Sequence, residues 1–227
     1  QTKHMKASSQ KNEELRLTFS EIKSSRTFRV LILTLSRIVT MGMQFLVVAI
    51  LARILSTKEY AIYFQAILVY NTLSPMLAFG FPNTIYVLLP QAKEMQKERS
   101  VIVINQIALL SITICFAIFV FLGGNQIISE IFNNPSLSQP LKYIALYLFA
   151  MVPLKSLDGV MLISDRAVQL VVFRIATRTL TVFGIILPAI ILKNASGALL
   201  GLSVISLFSY IVGLFLMLGT SGGMVVV

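Results

Sequence analysis

Charge, histidine and cysteine are all scarce in this chain, and each scarcity removes a class of function. Only 12% of the residues are charged against 56% hydrophobic, with a mean hydropathy of +0.85; ordinary globular chains carry about 25% charged residues. A water-soluble fold this apolar would lack the polar surface to cover its core. Cys115 is the only cysteine and falls inside an apolar run, which excludes an intrachain disulfide and a thiolate zinc cluster. It reads as a small residue buried or facing lipid. His4 is the only histidine and sits in a polar tail, so neither a His-based triad nor a His metal centre can form among the apolar runs. No glycine-rich phosphate loop, paired catalytic carboxylates or HExxH run is present. The expectation is a protein that is not an enzyme and needs no cofactor or metal.

What the chain has in abundance is apolar sequence. A span needs about 20 apolar residues, so 227 residues with few polar stretches have room for roughly six transmembrane helices. The expected fold is all-α, a polytopic transmembrane helical bundle. Residues 1–26 read as a polar cytoplasmic tail, helical at the membrane surface, with no apolar stretch before Phe28 to serve as a signal peptide. Residues 27–218 form the bundle, and residues 219–227 a short carboxyl-terminal tail. The spans read as Phe28 to Leu55, Tyr60 to Phe79 with an interrupted continuation from Thr84 to Leu89, Val101 to Leu122, Leu141 to Ile163, Ala167 to Leu192 and Ala198 to Leu218. Pro75 and Pro82 each remove a backbone donor, so the second span is expected to kink or break. Gly123-Gly124 is expected to close the third, and the charged stretch from Gln91 to Ser100 to lie in water.

The formal net charge of +10 suggests nucleic acid at first sight. The cations, however, sit in the amino-terminal tail and in short connections, and the Phe and Tyr residues lie within apolar runs instead of forming a stacking surface. No nucleic-acid partner is expected. Eleven basic residues fall on the side of the amino terminus, and four, Arg53, Lys58, Lys142 and Lys193, on the other. That asymmetry places the amino terminus in the cytoplasm.

Five ionisable residues remain inside the spans: Arg37, Lys155, Asp158, Arg174 and Arg178. A charge near a helix centre costs about 2.5–3.5 kcal/mol on insertion scales, so several are kept only where they face a cavity or one another. Arg174, Thr177, Arg178 and Thr181 recur at helical spacing, as do Arg37, Thr40 and Gln44; Gln65 and Asn71 add polarity in the second span. One reading is a hydrated cationic cavity for an anionic ligand such as a phosphate or pyrophosphate head group, bound by Arg37, Gln44, Asn71, Lys155, Arg174 and Arg178. The other has the arginines snorkelling to head groups and Lys155 paired with Asp158 three residues on. Asp158 is thus either a structural partner or an ion-coupling candidate. Asn194-Ala195-Ser196 fits a glycosylation pattern that often arises by chance. The pairs Gly197/Gly201 and Gly213/Gly219 fit small-residue helix packing.

The run Leu51-Ala52-Arg53-Ile54-Leu55-Ser56-Thr57-Lys58-Glu59-Tyr60-Ala61-Ile62-Tyr63 resembles the first external turn of the Wzx-type polysaccharide flippases, part of the multidrug/oligosaccharidyl-lipid/polysaccharide exporter superfamily. The Phe79-Gly80 break and the Asp165-Arg166-Ala167 connection are similar too, while Ser56 and Ala61 stand where many relatives have Gly. The resemblance spans about residues 28–218. It implies a multi-pass protein of the bacterial cytoplasmic (inner) membrane that flips undecaprenyl-pyrophosphate-linked oligosaccharide for O-antigen, capsule or exopolysaccharide assembly by alternating access. Its implied partners are the lipid-linked oligosaccharide, membrane lipids, a second transporter half or copy, and a glycan polymerase. Members usually have twelve or more helices, so the chain reads as an amino-terminal half, a fragment or truncated product. Rival readings are a drug or other lipid exporter of the superfamily, a membrane-bound glycan polymerase or ligase, and a non-transporting fragment.

Overall fold

The protein's computed structural model describes the backbone of residues 26–220 and the side chains of residues 30–218. The expectations for residues 1–25 and for the end of the carboxyl-terminal tail lie outside the described residues. Among the described residues the fold is helical, without strands. Six segments are long and apolar enough to cross a membrane: Val30–Ile54, Thr57–Glu94, Glu98–Ile131, Pro135–Ile163, Ala167–Leu192 and Ala195–Leu218.

Helix α1 (Arg26–Ile54) makes the first span. The second is α2 (Thr57–Ala78) followed by α3 (Phe81–Glu94), the third α4 (Glu98–Phe119), a kinked turn over Val120–Gly124 and α5 (Asn125–Ile131). A single 3-10 turn, Pro135–Leu137, leads into α6 (Ser138–Leu154) and α7 (Ser156–Ile163), which share the fourth span. Helices α8 (Ala167–Leu192) and α9 (Ala195–Thr220) are the fifth and sixth.

The second span breaks where Phe79 (φ 44°) and Gly80 (φ 76°) turn left-handed, a conformation that glycine enters without steric cost. Pro82 then lies in the first turn of α3, where its missing N–H would be unpaired anyway. Pro75 stays within α2 but cannot donate to the carbonyl of Asn71 one turn earlier. The fourth span breaks at Lys155, two residues after Pro153, a break the hydropathy pattern does not announce. Two successive amides of α4 serve these breaks: Asn105 Nδ2 donates to the Phe81 carbonyl (3.1 Å), and Gln106 Nε2 lies 3.3 Å from the Pro153 carbonyl. Breaks within a bilayer are tolerated where side chains take up the freed backbone groups.

The third span corrects its expected end. Gly123-Gly124 does not close it: Gly123, at φ 124°, absorbs the irregular turn and the chain re-enters helix to Ile131. Asn125 Nδ2 fixes the exit by donating to the Ser138 hydroxyl at 2.7 Å. The connection between the second and third spans is also shorter than expected, since α3 runs to Glu94 and α4 begins at Glu98. Asn194, read as part of a glycosylation pattern, caps α9, its Oδ1 accepting from the Gly197 N–H at 2.8 Å. Helix α9 packs so closely on α8 that a Cβ on Gly201 would overlap the Gly184 carbonyl.

Helix α1 lies along α8 and touches α2 only sparsely; α9 packs on both α8 and α6, and α6 on α2 and α4. One end of the bundle holds the α1–α2 and α8–α9 connections. There Leu51, Leu55, Ile62, Leu141 and Leu199 form a continuous buried core. The Ser56 hydroxyl accepts from the Glu59 N–H (3.3 Å), and the Glu59 carboxylate accepts from the Ala195 N–H (2.7 Å), tying α2 to the start of α9. At the opposite end a second cluster, including Ile85, Leu89, Val160, Leu170 and Met217, joins α3, α7, α8 and α9. The outer face of α1 remains exposed there, including Leu31, Leu35 and Ile38.

Candidate functional site

Because α1 follows α8 and not α2, a half-open cavity of about 600 Å³ lies between them, walled by α1, α2, α6, α7, α8 and α9, with Arg37, Gln44, Asn71 and Lys155 exposed in it. That is a size typical of ligand pockets, which run to roughly 300–1,000 Å³. The helical spacing seen in the sequence sets its polar faces. Residues three or four apart share a helix face, so Arg37, Thr40 and Gln44 of α1 confront Arg174, Thr177, Arg178 and Thr181 of α8. Asn71 enters from α2, Lys155 from the break between α6 and α7, and Asp158 from the first turn of α7. The structure thus gathers Arg37, Gln44, Asn71, Lys155, Asp158, Arg174 and Arg178 around one space.

Four of these residues are cations and one is a carboxylate, a formal sum of +3. Their contacts tie neighbouring helices across the cavity wall. Arg178 Nη2 donates to Gln44 Oε1 at 2.8 Å, linking α8 to α1. Lys155 Nζ donates to the Ser74 hydroxyl at 2.7 Å, linking the fourth span to the second. Arg174 grips Asp158 with a fork, Nε to Oδ1 at 3.3 Å and Nη2 to Oδ2 at 2.5 Å. Both members stay partly open, with 21% of the Arg174 side chain and 40% of that of Asp158 exposed.

The pairing of Lys155 with Asp158 suggested by their spacing is therefore corrected. Lys155 keeps right-handed dihedrals (φ −58°, ψ −26°), so the spacing survives, but each side chain finds its partner on another helix: the lysine reaches Ser74 of α2 and the carboxylate receives Arg174 of α8. Gln65 is not in the lining either; its Oε1 accepts from Asn134 Nδ2 (2.7 Å) near the α1–α2 end.

Beside the charged residues the wall is aromatic and hydroxylic. Tyr63, Tyr70 and Tyr147 line it with Ser206 and Ser209 of α9, and the rings of Tyr70 and Tyr147 meet at 4.5 Å between centroids. The sequence reading missed these residues because the tyrosines lie within apolar runs. The serines did carry a signal, since Ser203, Ser206 and Ser209 recur every three residues, which marks one face of α9. Their hydroxyls bond back to the carbonyls of Leu199, Leu202 and Ile205, a common way to bury a hydroxyl in an apolar helix.

A cavity of this kind can do two things chemically. Arginine offers planar, forked donors to a phosphate and lysine a mobile point charge, while the amides, hydroxyls and tyrosine rings beside them provide uncharged polar and ring surface. Comparison with known protein families shows that the family described as polysaccharide biosynthesis protein matches residues 29–221. No curated protein and no solved structure matches the chain.

Proposed function

Because this chain belongs to the polysaccharide biosynthesis protein family, we propose that it is a membrane transporter that flips undecaprenyl-pyrophosphate-linked oligosaccharide across the bacterial inner membrane. The product would serve O-antigen, capsule or exopolysaccharide assembly. The observation that carries this reading is the convergence of Arg37, Lys155, Arg174 and Arg178, from three separate spans, on one cavity inside an apolar bundle. Four cations are retained at membrane depth at considerable insertion cost, and a diphosphate is an anion whose charge and forked oxygens suit them.

In this mechanism the end of the bundle that holds the amino terminus of α1 faces the cytoplasm, as the distribution of basic residues indicates. The cavity captures the diphosphate, the sugars occupy the tyrosine- and serine-lined space beside it, and the lipid tail stays in the bilayer. Rocking of this bundle against a second one, from a further transporter half or another copy, then exposes the load on the far side. The same second bundle covers the flank where α1 and α2 diverge. The cargo's covalent bonds are unchanged throughout, so the role is transport and not catalysis.

Replacing Arg178 by Ala in the complete transporter, at matched protein level, should lower glycan export by about tenfold or more, the scale of a lost hydrogen bond to a charged group. Export at the wild-type rate from both the Arg178→Ala and Arg37→Ala variants would remove the cavity cations from the mechanism.

A further inference from the structure

The cavity's cations are not equally available. Arg178 and Lys155 rest on neutral partners, the Gln44 amide and the Ser74 hydroxyl, and Arg37 makes no side-chain hydrogen bond or ion pair among the described residues. Arg174 alone meets a carboxylate, and Asp158 occupies its Nε–Nη2 edge with both oxygens. Forked engagement of that edge is also how a guanidinium binds phosphate. A neutral hydrogen-bond partner yields readily to an entering anion, whereas a carboxylate competes for the same donors and repels the newcomer.

We propose that Asp158 is a built-in counter-anion: it masks Arg174 in the empty cavity and is displaced when the diphosphate of a loaded cargo takes over that guanidinium. The inference rests on the diphosphate-transport reading above. Its consequence is a limit on how tightly the cavity holds its load. Capture falls to Arg37, Lys155 and Arg178; Arg174 joins only after its own pair opens, and on release Asp158 reclaims it and helps expel the anion. A carrier must let go as well as bind, and a cavity with four unmasked cations would favour the loaded state over the empty one. The pair's partial exposure suits it to exchange, because water can enter as the two side chains part.

A purely structural role for Asp158, as a strut that aims Arg174, makes the opposite prediction for binding. The test uses the full chain in detergent with a short-chain prenyl-diphospho-glucose as the probe, alongside export measured in cells. Asp158→Asn raises the cavity's formal charge from +3 to +4. It should tighten probe binding by about three- to tenfold, the worth of one nearby charge in a hydrated site, while slowing export. Arg174→Gln should weaken binding less than Arg178→Gln does, since Asp158 already holds the Nε–Nη2 edge of Arg174 and the anion must displace it to use that fork. The double variant Asp158→Asn/Arg174→Gln, which restores the sum of +3, should bind close to wild type and provides the reading if the single asparagine variant does not fold. Probe affinity that is unchanged or weaker in Asp158→Asn, or weaker than that of Arg174→Gln in the double variant, would overturn the counter-anion role alone. Failure of the wild-type chain to bind the probe, or binding indifferent to Arg178, would overturn the transport reading with it.

Discussion

The two ends of the bundle are held by different means. At the α1–α2 end, Leu51, Leu55, Ile62, Leu141 and Leu199 pack into a core shared by α1, α2, α6 and α9, and Glu59 fastens α2 to the start of α9. Toward the other end α1 keeps α8 as its companion and parts from α2, and the space between is faced with charge. Hydrophobic packing and hydrogen bonds close the first; at the second a separate core joins α3, α7, α8 and α9, while one ion pair and single polar contacts bridge the cavity wall beside it. Contacts of the second kind are individually weak and exchangeable when exposed, whereas close packing resists any change of shape. The contrast puts a fixed seal beside an opening that can admit and release a ligand.

The sharpest way to break that comparison is to remove volume from the seal. Leu148 is fully buried there, and Leu148→Ala should cost about 2–5 kcal/mol, read as a fall in thermal stability in detergent. The matching change on the open side, Leu35→Ala on the exposed face of α1, should alter stability by less than about 0.5 kcal/mol. Equal losses would mean that the two ends are not mechanically distinct. A smaller effect sharpens the picture at the seal's rim. Ser56→Ala removes the hydroxyl that accepts from the Glu59 N–H and should cost about 0.5–1 kcal/mol, without changing the affinity of the cavity for a diphosphate probe.

Most of the spans were legible in the amino-acid sequence, whereas the packed core of the seal was not. The fifth span runs from Ala167 to Leu192 both by hydropathy and in the structure, because Asp165-Arg166 and Lys193-Asn194 bound it with residues that do not belong in lipid. The break at Phe79-Gly80 could be anticipated from the clustered Gly and Pro around it. The third span was anticipated only in part: Gly123 does kink the helix, at φ 124°, but the chain re-enters helix at Asn125 and runs on to Ile131. At the site, the charged residues that line the cavity were recognisable as intramembrane charges at helical spacing, while its tyrosines and serines were not. Nor were the partners of the charged residues. Arg178 with Gln44 and Lys155 with Ser74 are separated by 134 and 81 residues, and local spacing holds no information about such pairs. The one partner inferred locally, Asp158 for Lys155, failed because Ser74 and Arg174, both on other helices, take up the two side chains.

The most direct test of a hydrated vestibule beside a dry seal is thiol accessibility in the intact assembly. In a background with Cys115→Ser, single cysteines replace Arg37, Arg178, Leu148 and Leu199, and a membrane-impermeant maleimide is applied from the cytoplasmic side. Positions 37 and 178 should label and be protected by a prenyl-diphospho-sugar, while 148 and 199 should stay unmodified. Shielding of 37 and 178 from the aqueous reagent, or labelling at 148 and 199 to the same extent, would contradict a water-filled cationic cavity in this protein.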